Sequence, residues 1–172
     1  ENPLEMNDCK RLILPGVGAF DNAAQKLKKK GFWSELNDQV LVKKKPILGV
    51  CIGMHLMASR SEEGLEEGLG WFENIIVSKF KKSQFTRVPH IGWNKVELNS
   101  NNPLFFEINN KFFYFLHSFK FDLMNCKISI GKTQYDEFFC SVLIKNNIYG
   151  VQFHPEKSHD NGYKLLHNFA KI

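Results

Sequence analysis

The most constraining feature of this sequence is an apolar run that ends in a cysteine between two glycines, within PILGVCIGMHLM at 46–57. Residues 46–50 are short and apolar, as in a parallel-sheet strand that is buried on both faces. A helix-like stretch follows at once. Glycines two positions either side allow a tight strand–turn–helix connection that holds a nucleophile above the sheet. The spacing predicts such an elbow, with Cys51 at the corner between Gly49 and Gly53.

The helix expected after Cys51 bears on the reactivity of its thiol. A helix N-terminus favours negative charge, so we expect it to lower the pKa of the Cys51 thiol. The alternative for this motif alone is a structural cysteine buried in a tight connection.

The remainder of the chain predicts an α/β fold in one domain over 1–172. Its first half alternates strands and helices, which is typical of a parallel sheet, and its second half is rich in Phe and strand-like runs. The predicted helices are 21–31 with Asp21 as N-cap, 34–45 with Ser34 as N-cap, and 162–172 with Leu165, Leu166 and Phe169 on one face. The predicted strands are 11–16, 46–50, 74–80, 92–98, 112–119, 126–135 and 138–154, the last with a hairpin turn at Asn146–Asn147.

Composition argues against several classes of function. The net charge is +5, but only 3 of the 23 basic residues are Arg, the residue best suited to phosphate and base contacts, so nucleic acid is not an expected partner. No apolar stretch reaches the roughly 20 residues that span a bilayer. The cysteines Cys9, Cys51, Cys126 and Cys140 form no CxxC pair and the histidines no ligand spacing. We therefore expect no metal, no cofactor, no membrane contact and a reducing, cytoplasmic location.

Two further motifs supply groups that a cysteine nucleophile needs. In YGVQFHPEKS at 149–158, His154 and Glu156 are two residues apart and face the same side if the backbone is extended. A carboxylate that orients an imidazole beside a thiol is the arrangement of an activated nucleophile. In LPGVGAF at 14–20, a glycine-rich turn exposes backbone N–H groups, which can stabilise an oxyanion. Taken alone, His154 also fits a surface histidine beside a proline turn.

Together these motifs resemble the class I (triad) glutamine amidotransferases, and most closely the glutaminase subunits of imidazole glycerol phosphate synthases. The resemblance extends along essentially the whole chain, through LILPGVGAFDNA, ILGVCIGMHLM, SRSEEG, VPHIGWNKVE, FYFLHSF and YGVQFHPEKS. It implies a flavodoxin-like, mostly parallel sheet with flanking helices and an antiparallel portion. The family opens with a strand and a helix that have no counterpart here.

The resemblance also implies roles for individual residues. Cys51 would attack the carboxamide of L-glutamine, His154 would move the proton and Glu156 would orient His154. The oxyanion would be held by Gly16, Val17, Gly18 and the N–H of Ile52. The glutamine would be held by Gly53, His55, Glu63, His117, Ser118 and Phe119. The partner, a (β/α)8-barrel cyclase subunit in a heterodimer that receives ammonia for histidine biosynthesis, would contact Pro89, His90, Ile91, Gly92, Trp93, Asn94 and Lys157.

One departure from the family leaves other functions open. The family has glutamine where this chain has His55, so a catalytically weak interaction module is one alternative. A second is a paralogous amidotransferase whose ammonia serves acetamidino-sugar synthesis, and a third is a cysteine peptidase or esterase with the same triad. The motifs PGVGAF and PHIGWN argue against the third alternative.

Overall fold

The computed structural model describes residues 2–81, 84, 86–122 and 128–172, with eleven strands and four α-helices in the described part. Along the chain these are β1 (Leu12–Leu14), α1 (Phe20–Lys29), α2 (Phe32–Asn37), β2 (Ile47–Val50), α3 (Ile52–Leu56), β3 (Ala58–Ser61), β4 (Phe72–Lys79), β5 (His90–Lys95), β6 (Glu97–Leu98), β7 (Phe112–His117), β8 (Phe119–Asp122), β9 (Ser129–Tyr135), β10 (Glu137–Lys145), β11 (Ile148–Val151) and α4 (His159–Phe169). Within the described ranges, none of the helices has the length and apolar character needed to cross a bilayer.

A parallel block of three strands lies under the cysteine motif. β2 pairs in parallel with β1 on one side and with β11 on the other, and Gly49 is aligned with Leu14 and Gly150. All four residues of β2 are buried. This is the two-sided burial that the apolar run PILGV predicts.

The second half of the chain extends this block as an antiparallel portion. β10 forms a hairpin with β11 around Asn146–Asn147 and also pairs with β8, which continues to β4 and β3. β9 joins β10 to β6, and β5 and β7 form a separate two-stranded sheet. The predicted α/β class with an antiparallel portion is thereby confirmed. The strand predicted from residue 126 begins at Ser129, and 126–127, which include Cys126, lie outside the described residues.

The predicted cap of the first helix is wrong. The helix α1 begins one residue earlier than expected, so Asp21 lies in its first turn and makes no capping bond. The Asp21 carboxylate instead accepts hydrogen bonds at 3.0 Å from the backbone N–H groups of Leu65 and Glu66. These two bonds lower the pKa of Asp21. A contact 44 residues away in the chain therefore replaces the local cap.

The second predicted cap, Ser34, is wrong for a local reason. The helix α2 begins at Phe32, directly after Gly31, whose φ of +75° suits a glycine. Ser34 thus lies inside the helix, where its hydroxyl donates to the Gly31 carbonyl at 3.5 Å. The C-terminal helix α4 begins three residues before the predicted start at 162, and it buries Leu165 and Phe169 as expected.

The short helix α3 packs directly on the parallel strands. A Cβ atom on Gly53 would lie 1.7 Å from the carbonyl oxygen of Leu14 in β1, and one on Gly49 would lie 2.9 Å from the Gly53 oxygen. Both distances are shorter than any van der Waals contact, and the opposing atoms belong to the backbone. The glycines of the motif are therefore required for the helix to approach the sheet.

This packing predicts that Gly53→Ala is severely destabilising. Overpacking normally costs about 1–3 kcal/mol, and a backbone collision leaves little room for repacking, so we expect a loss in unfolding free energy at or above the top of that range. Urea denaturation followed by circular dichroism measures it.

Gly70→Ala is a control without a collision, because no atom lies within 4 Å of the Cβ that it would add, although Gly70 itself has a φ of +69°. The unfolding free energy of Gly70→Ala should fall by only about 1–2 kcal/mol, the cost of placing a non-glycine residue in the left-handed region. Equal losses for the two variants would show that the α3 contact is not what Gly53 provides.

Candidate active site

Cys51 lies at the predicted corner between β2 and α3. Its backbone has φ 52° and ψ −111°, outside the regions that non-glycine residues prefer, which is typical of a strained functional turn. Its N–H donates to the Val151 carbonyl at 2.9 Å, and its carbonyl accepts from the N–H of His55 at 3.0 Å. The side chain is 4% exposed. The strand ladder and the first helical turn together hold this geometry.

The thiol of Cys51 is protonated in the resting structure. Burial raises its pKa to about 12, and the carboxylates of Glu156 and Glu63 also act in that direction. Hydrogen bonds from the N–H of Ile52 and the amide of Gln152 oppose the shift but do not cancel it. The N–H of Ile52 at the start of α3 thus acts in the expected direction, but the expected net lowering of the Cys51 pKa is wrong, because desolvation outweighs it. Chemistry at this thiol needs a base.

His154 provides a buried imidazole with one nitrogen available. Its Nδ1 is 2.7 Å from Glu156 Oε1, so the Nδ1–H donates to the carboxylate. Its Nε2 is buried and has no hydrogen-bond partner among the described residues. The His154 N–H donates to the Tyr114 carbonyl at 2.8 Å, and the Ser158 hydroxyl donates to the His154 carbonyl at 2.6 Å. The ring is thus oriented by Glu156 while its backbone is held between β7 and the turn before α4.

A cavity of about 240 Å³ brings Cys51 and His154 together. Its lining comes from six separate parts of the sequence and includes most of the residues that were predicted to surround the substrate. The full lining is Val17, Gly18, Cys51, Ile52, His55, Glu63, Pro89, Leu116, His117, Ser118, Phe119 and His154. Leu116 was not predicted from the sequence, and its carbonyl accepts the Cys51 thiol hydrogen at 3.8 Å.

Two glycines that were predicted to contact substrate or oxyanion do not line this cavity. Gly53 faces the Leu14 carbonyl, as described above, and a Cβ on Gly16 would lie 2.8 Å from the Ile52 Cβ. Both allow close packing of α3 at positions beside the cavity. The next two residues of the glycine-rich turn do reach the cavity, with Val17 82% exposed and Gly18 at φ +98°.

Glu63 joins the cavity wall to the start of α1. Its Oε2 accepts the backbone N–H of Phe20 at 3.1 Å, and its own N–H is bound by the Ser61 hydroxyl. Burial raises the pKa of the Glu63 carboxyl, partly offset by the Phe20 bond. The carboxylate is thus fixed at the cavity, where it could pair with a cationic group of a ligand.

His55 is bound to a residue that the sequence analysis did not select. Its Nε2 lies 2.8 Å from Gln152 Oε1, and its Nδ1 is buried with no partner among the described residues. Burial lowers the pKa of His55 to about 4, so the ring is neutral at pH 7. Gln152 is fully buried and lies two residues before His154. A polar residue inside the apolar run YGVQF was the signal that could have identified it.

Behind the cavity, His117 and His90 form a chain of hydrogen bonds with a fixed direction. His117 Nδ1–H donates to the Phe119 carbonyl at 2.8 Å, so its Nε2 accepts from His90 Nδ1–H at 3.0 Å. His90 Nε2 in turn accepts from the Asn94 amide at 3.4 Å. Each ring has one donor and one acceptor in use, and therefore both are neutral. His90 was predicted on the partner surface, but its side chain is 2% exposed.

Only part of the PHIGWN segment is an exposed surface. Ile91 and Trp93 are 57% and 46% exposed on the outer face of β5, and the Trp93 ring stacks on His159. Gly92 and Asn94 are partly buried between them, while Pro89 lines the cavity. Lys157, next to Glu156, is exposed, with its Nζ 5.7 Å from the centre of the Tyr114 ring. Two apolar side chains therefore lie on the strand that leads to the cavity.

Comparison with known proteins gives matches over the whole chain. A sequence model of the family described as "Glutamine amidotransferase class-I" matches residues 1–172. The chain is 46% identical over 176 residues to "Imidazole glycerol phosphate synthase subunit HisH 1" of Campylobacter jejuni, covering 100% of this chain and 86% of that protein. It is 46% identical to "Imidazole glycerol phosphate synthase subunit HisH 2" of Methanococcus maripaludis, covering 99% and 84%.

Solved structures agree on the fold. One described as a glutamine amidotransferase superimposes with a TM-score of 0.72 at 17% identity, covering 98% of this chain and 84% of that one. A glutamine amidotransferase from Thermotoga maritima gives 0.60 at 19% identity, covering 96% and 64%. In the described part of this chain, no three His, Cys, Asp or Glu side chains are grouped closely enough to hold a metal ion.

The buried neutral histidines predict acid sensitivity. Burial lowers the pKa of His55 and His90 to about 4, and that of His117 well below its usual value. In the unfolded chain each would titrate near 6.5, so between about pH 6.5 and 4 the unfolded state binds more protons. The contribution of these histidines to the free energy of unfolding is complete above pH 6.5 and is lost as the pH falls. The free energy of unfolding then decreases by up to about 1.4 kcal/mol per pH unit for each histidine.

Urea denaturation at a series of pH values measures this slope. His90→Gln should reduce the slope of unfolding free energy against pH by the contribution of one histidine. Phe113→Leu, a change in a buried ring that stacks on Phe153 at 4.0 Å, should lower stability without altering the slope. A wild-type unfolding free energy that stays constant from pH 6.5 to 4 would contradict the neutral assignment.

Proposed function

The chain belongs to the class-I glutamine amidotransferase family, and on that premise we propose that it is the glutaminase subunit of an imidazole glycerol phosphate synthase. In this function it hydrolyses L-glutamine to L-glutamate and ammonia in the cytoplasm, and a cyclase subunit uses the ammonia in histidine biosynthesis. The observation that carries the proposal is the single cavity that contains both the Cys51 thiol and the oriented His154 imidazole. Curated relatives named as subunits of this synthase align over at least 98% of the chain.

The proposed reaction begins with proton transfer from Cys51. With glutamine bound, His154 Nε2 accepts the thiol proton, and the sulfur attacks the carboxamide carbon to give a tetrahedral intermediate. His154 then returns the proton to the leaving nitrogen, which departs as ammonia and leaves a glutamyl thioester on Cys51. Glu156, bound to Nδ1 at 2.7 Å, stabilises the imidazolium that forms between these steps.

Hydrolysis of the thioester completes the proposed cycle. Water, deprotonated by His154, attacks the thioester carbon, and collapse of the second intermediate releases glutamate and restores the thiol. In both intermediates the oxyanion needs donors that are already positioned, and the backbone N–H of Ile52 and the turn at Val17 and Gly18 lie at the cavity. The loss of one such donor typically costs about 10²–10³ in rate.

The rest of the cavity suits the amino-acid end of glutamine. Glu63 offers a carboxylate for the α-ammonium group, and the strand connection at Ser118 and Phe119 offers backbone groups. The bond from His117 Nδ1 to the Phe119 carbonyl, at 2.8 Å, holds this connection in place. A cavity of about 240 Å³ fits a ligand the size of a single amino acid better than a peptide.

This function requires a second subunit. Relatives are named as subunits of a synthase, so a partner subunit belongs to the same assembly. We propose a heterodimer with a (β/α)8-barrel cyclase that docks on the exposed side chains of Ile91, Trp93 and Lys157. Ammonia is not released wastefully if binding of the acceptor to the cyclase promotes glutamine turnover in this chain. We therefore expect a coupling free energy of about 1–3 kcal/mol between the acceptor site and the glutaminase site.

Cys51→Ala tests the catalytic proposal. We expect glutamate formation to fall to background while the fold and the association with the cyclase persist, because the change removes the nucleophile and little volume. A glutamine-mimicking diazo-ketone should add covalently to Cys51 in the wild-type chain, as located by mass spectrometry.

The matched control is Cys9→Ala, which removes an exposed thiol and should leave turnover and labelling intact. Retained glutaminase activity in Cys51→Ala would refute the proposed function. Glutaminase activity that is coupled to a sugar acceptor, and not to the cyclase ligand, would favour the acetamidino-sugar alternative.

Trp93→Ala tests the proposed partner surface. Exposed aromatic side chains are common interface hot spots, and a loss of about 2 kcal/mol corresponds to roughly 30-fold weaker association. Phe106→Ala is the control, because Phe106 is also an exposed aromatic residue, at 65%, but lies outside the PHIGWN segment. This variant should bind the cyclase with wild-type affinity. Titration calorimetry with the cyclase separates the two outcomes, and equal affinity for wild type and Trp93→Ala would place the interface elsewhere.

A further inference from the structure

Gln152 lies between Cys51 and His55 and contacts both side chains. Its Nε2 is 3.9 Å from the Cys51 sulfur, and its Oε1 is 2.8 Å from His55 Nε2. The three side chains are between 0% and 4% exposed, so no bulk water competes for these bonds. The hydrogen bonds that link Cys51, Gln152 and His55 are separate from the pair formed by His154 and Glu156. The proposed proton transfers do not use them.

The two ends of the Gln152 amide have opposite effects on a thiolate. The N–H group of Nε2 stabilises negative charge on sulfur, whereas the oxygen would repel it. The amide can rotate to exchange its two ends, so its orientation must be set by the group on its other side. That group is His55.

His55 favours the orientation in which the amide nitrogen faces sulfur. The ring is neutral and carries one proton, and its Nδ1 has no partner among the described residues. A proton on Nδ1 would be a buried donor without an acceptor, which is rarer in proteins than an unpaired acceptor. With the proton on Nε2, His55 donates to Gln152 Oε1, and the Gln152 N–H is directed at Cys51.

We propose that Gln152 is a positioning residue that stabilises the Cys51 thiolate, and that His55 holds the Gln152 amide in its donating orientation. The inference rests on the proposed role of Cys51 as the nucleophile. It assigns to His55 a contact with Gln152 in place of a direct contact with glutamine. It also accounts for histidine where the family has glutamine, because a carboxamide and a neutral imidazole can each donate one bond to the Gln152 oxygen.

The experiment measures thiolate formation at Cys51 directly. Below its pKa, a thiol is alkylated in proportion to its thiolate fraction, so the rate of iodoacetamide addition between about pH 7 and 9 reports the pKa of Cys51. The adduct is located by mass spectrometry, because the exposed Cys9 also reacts. The full chain is used, and kcat and KM for glutamine are measured with the cyclase bound.

Gln152→Met, which has a similar volume and neither polar group, should slow alkylation of Cys51 by about tenfold or more, the effect of one pKa unit. His55→Leu should act in the same direction, and His55→Gln should restore the wild-type rate. In the slowed variants kcat should fall with little change in KM, because a substrate contact is not removed. Thr133→Val, which removes a buried hydroxyl bound to Ser141 at 2.8 Å, is the control and should leave the alkylation rate unchanged.

Unchanged alkylation in folded Gln152→Met would overturn the role of Gln152, and failure of His55→Gln to restore the rate would overturn that of His55. If Gln152→Met does not fold, Gln152→Leu also lacks both polar groups, and the same slowing is expected. These outcomes are distinct from failure of the proposed function, in which Cys51→Ala retains glutaminase activity.

Discussion

The close approach of α3 to the parallel strands is the contact on which the site depends. At Gly53 the helix backbone touches the Leu14 carbonyl so closely that no side chain can be accommodated. This contact turns the chain sharply after β2 and holds Cys51 in a strained conformation at the corner. The glycine-rich turn after β1 and the end of β11 lie beside the same corner, and each contributes to the cavity or its hydrogen bonds.

Burial then determines the charge state of the site. The same loss of water that raises the pKa of the Cys51 thiol lowers those of His55, His90 and His117. Both shifts favour uncharged forms, so the site consists of a protonated thiol with the neutral rings of His55 and His117 at the cavity and the neutral ring of His90 behind them. The proposed reaction therefore requires a base to remove the thiol proton, and N–H groups already directed at the sulfur to stabilise the negative charge that forms there.

Much of the fold and part of the site were predictable because their signals are local. The apolar run in β2, the flanking glycines and the spacing of His154 and Glu156 each depend on neighbours within a few residues. The helix caps were not predictable in the same way. Asp21 has the chemistry of a cap, yet it binds backbone N–H groups more than forty residues away, which no local pattern indicates. His90 likewise lies in a motif read as a surface, but its side chain points inward to His117.

The sequence by itself determined the class of fold, the elbow at Cys51 and the pairing of an imidazole with a carboxylate, because all three depend on residues close together in the chain. The expected extended backbone between His154 and Glu156 is wrong, since a 3-10 turn at Pro155–Lys157 brings the two side chains together at 2.7 Å. Only the tertiary structure decided that the thiol is hard to ionise, that Gln152 binds both Cys51 and His55, and that Gly53 serves packing. Desolvation and hydrogen-bond partners are set by segments far apart in the chain, and they become defined only when β1, β2, β7 and β11 come together around one cavity.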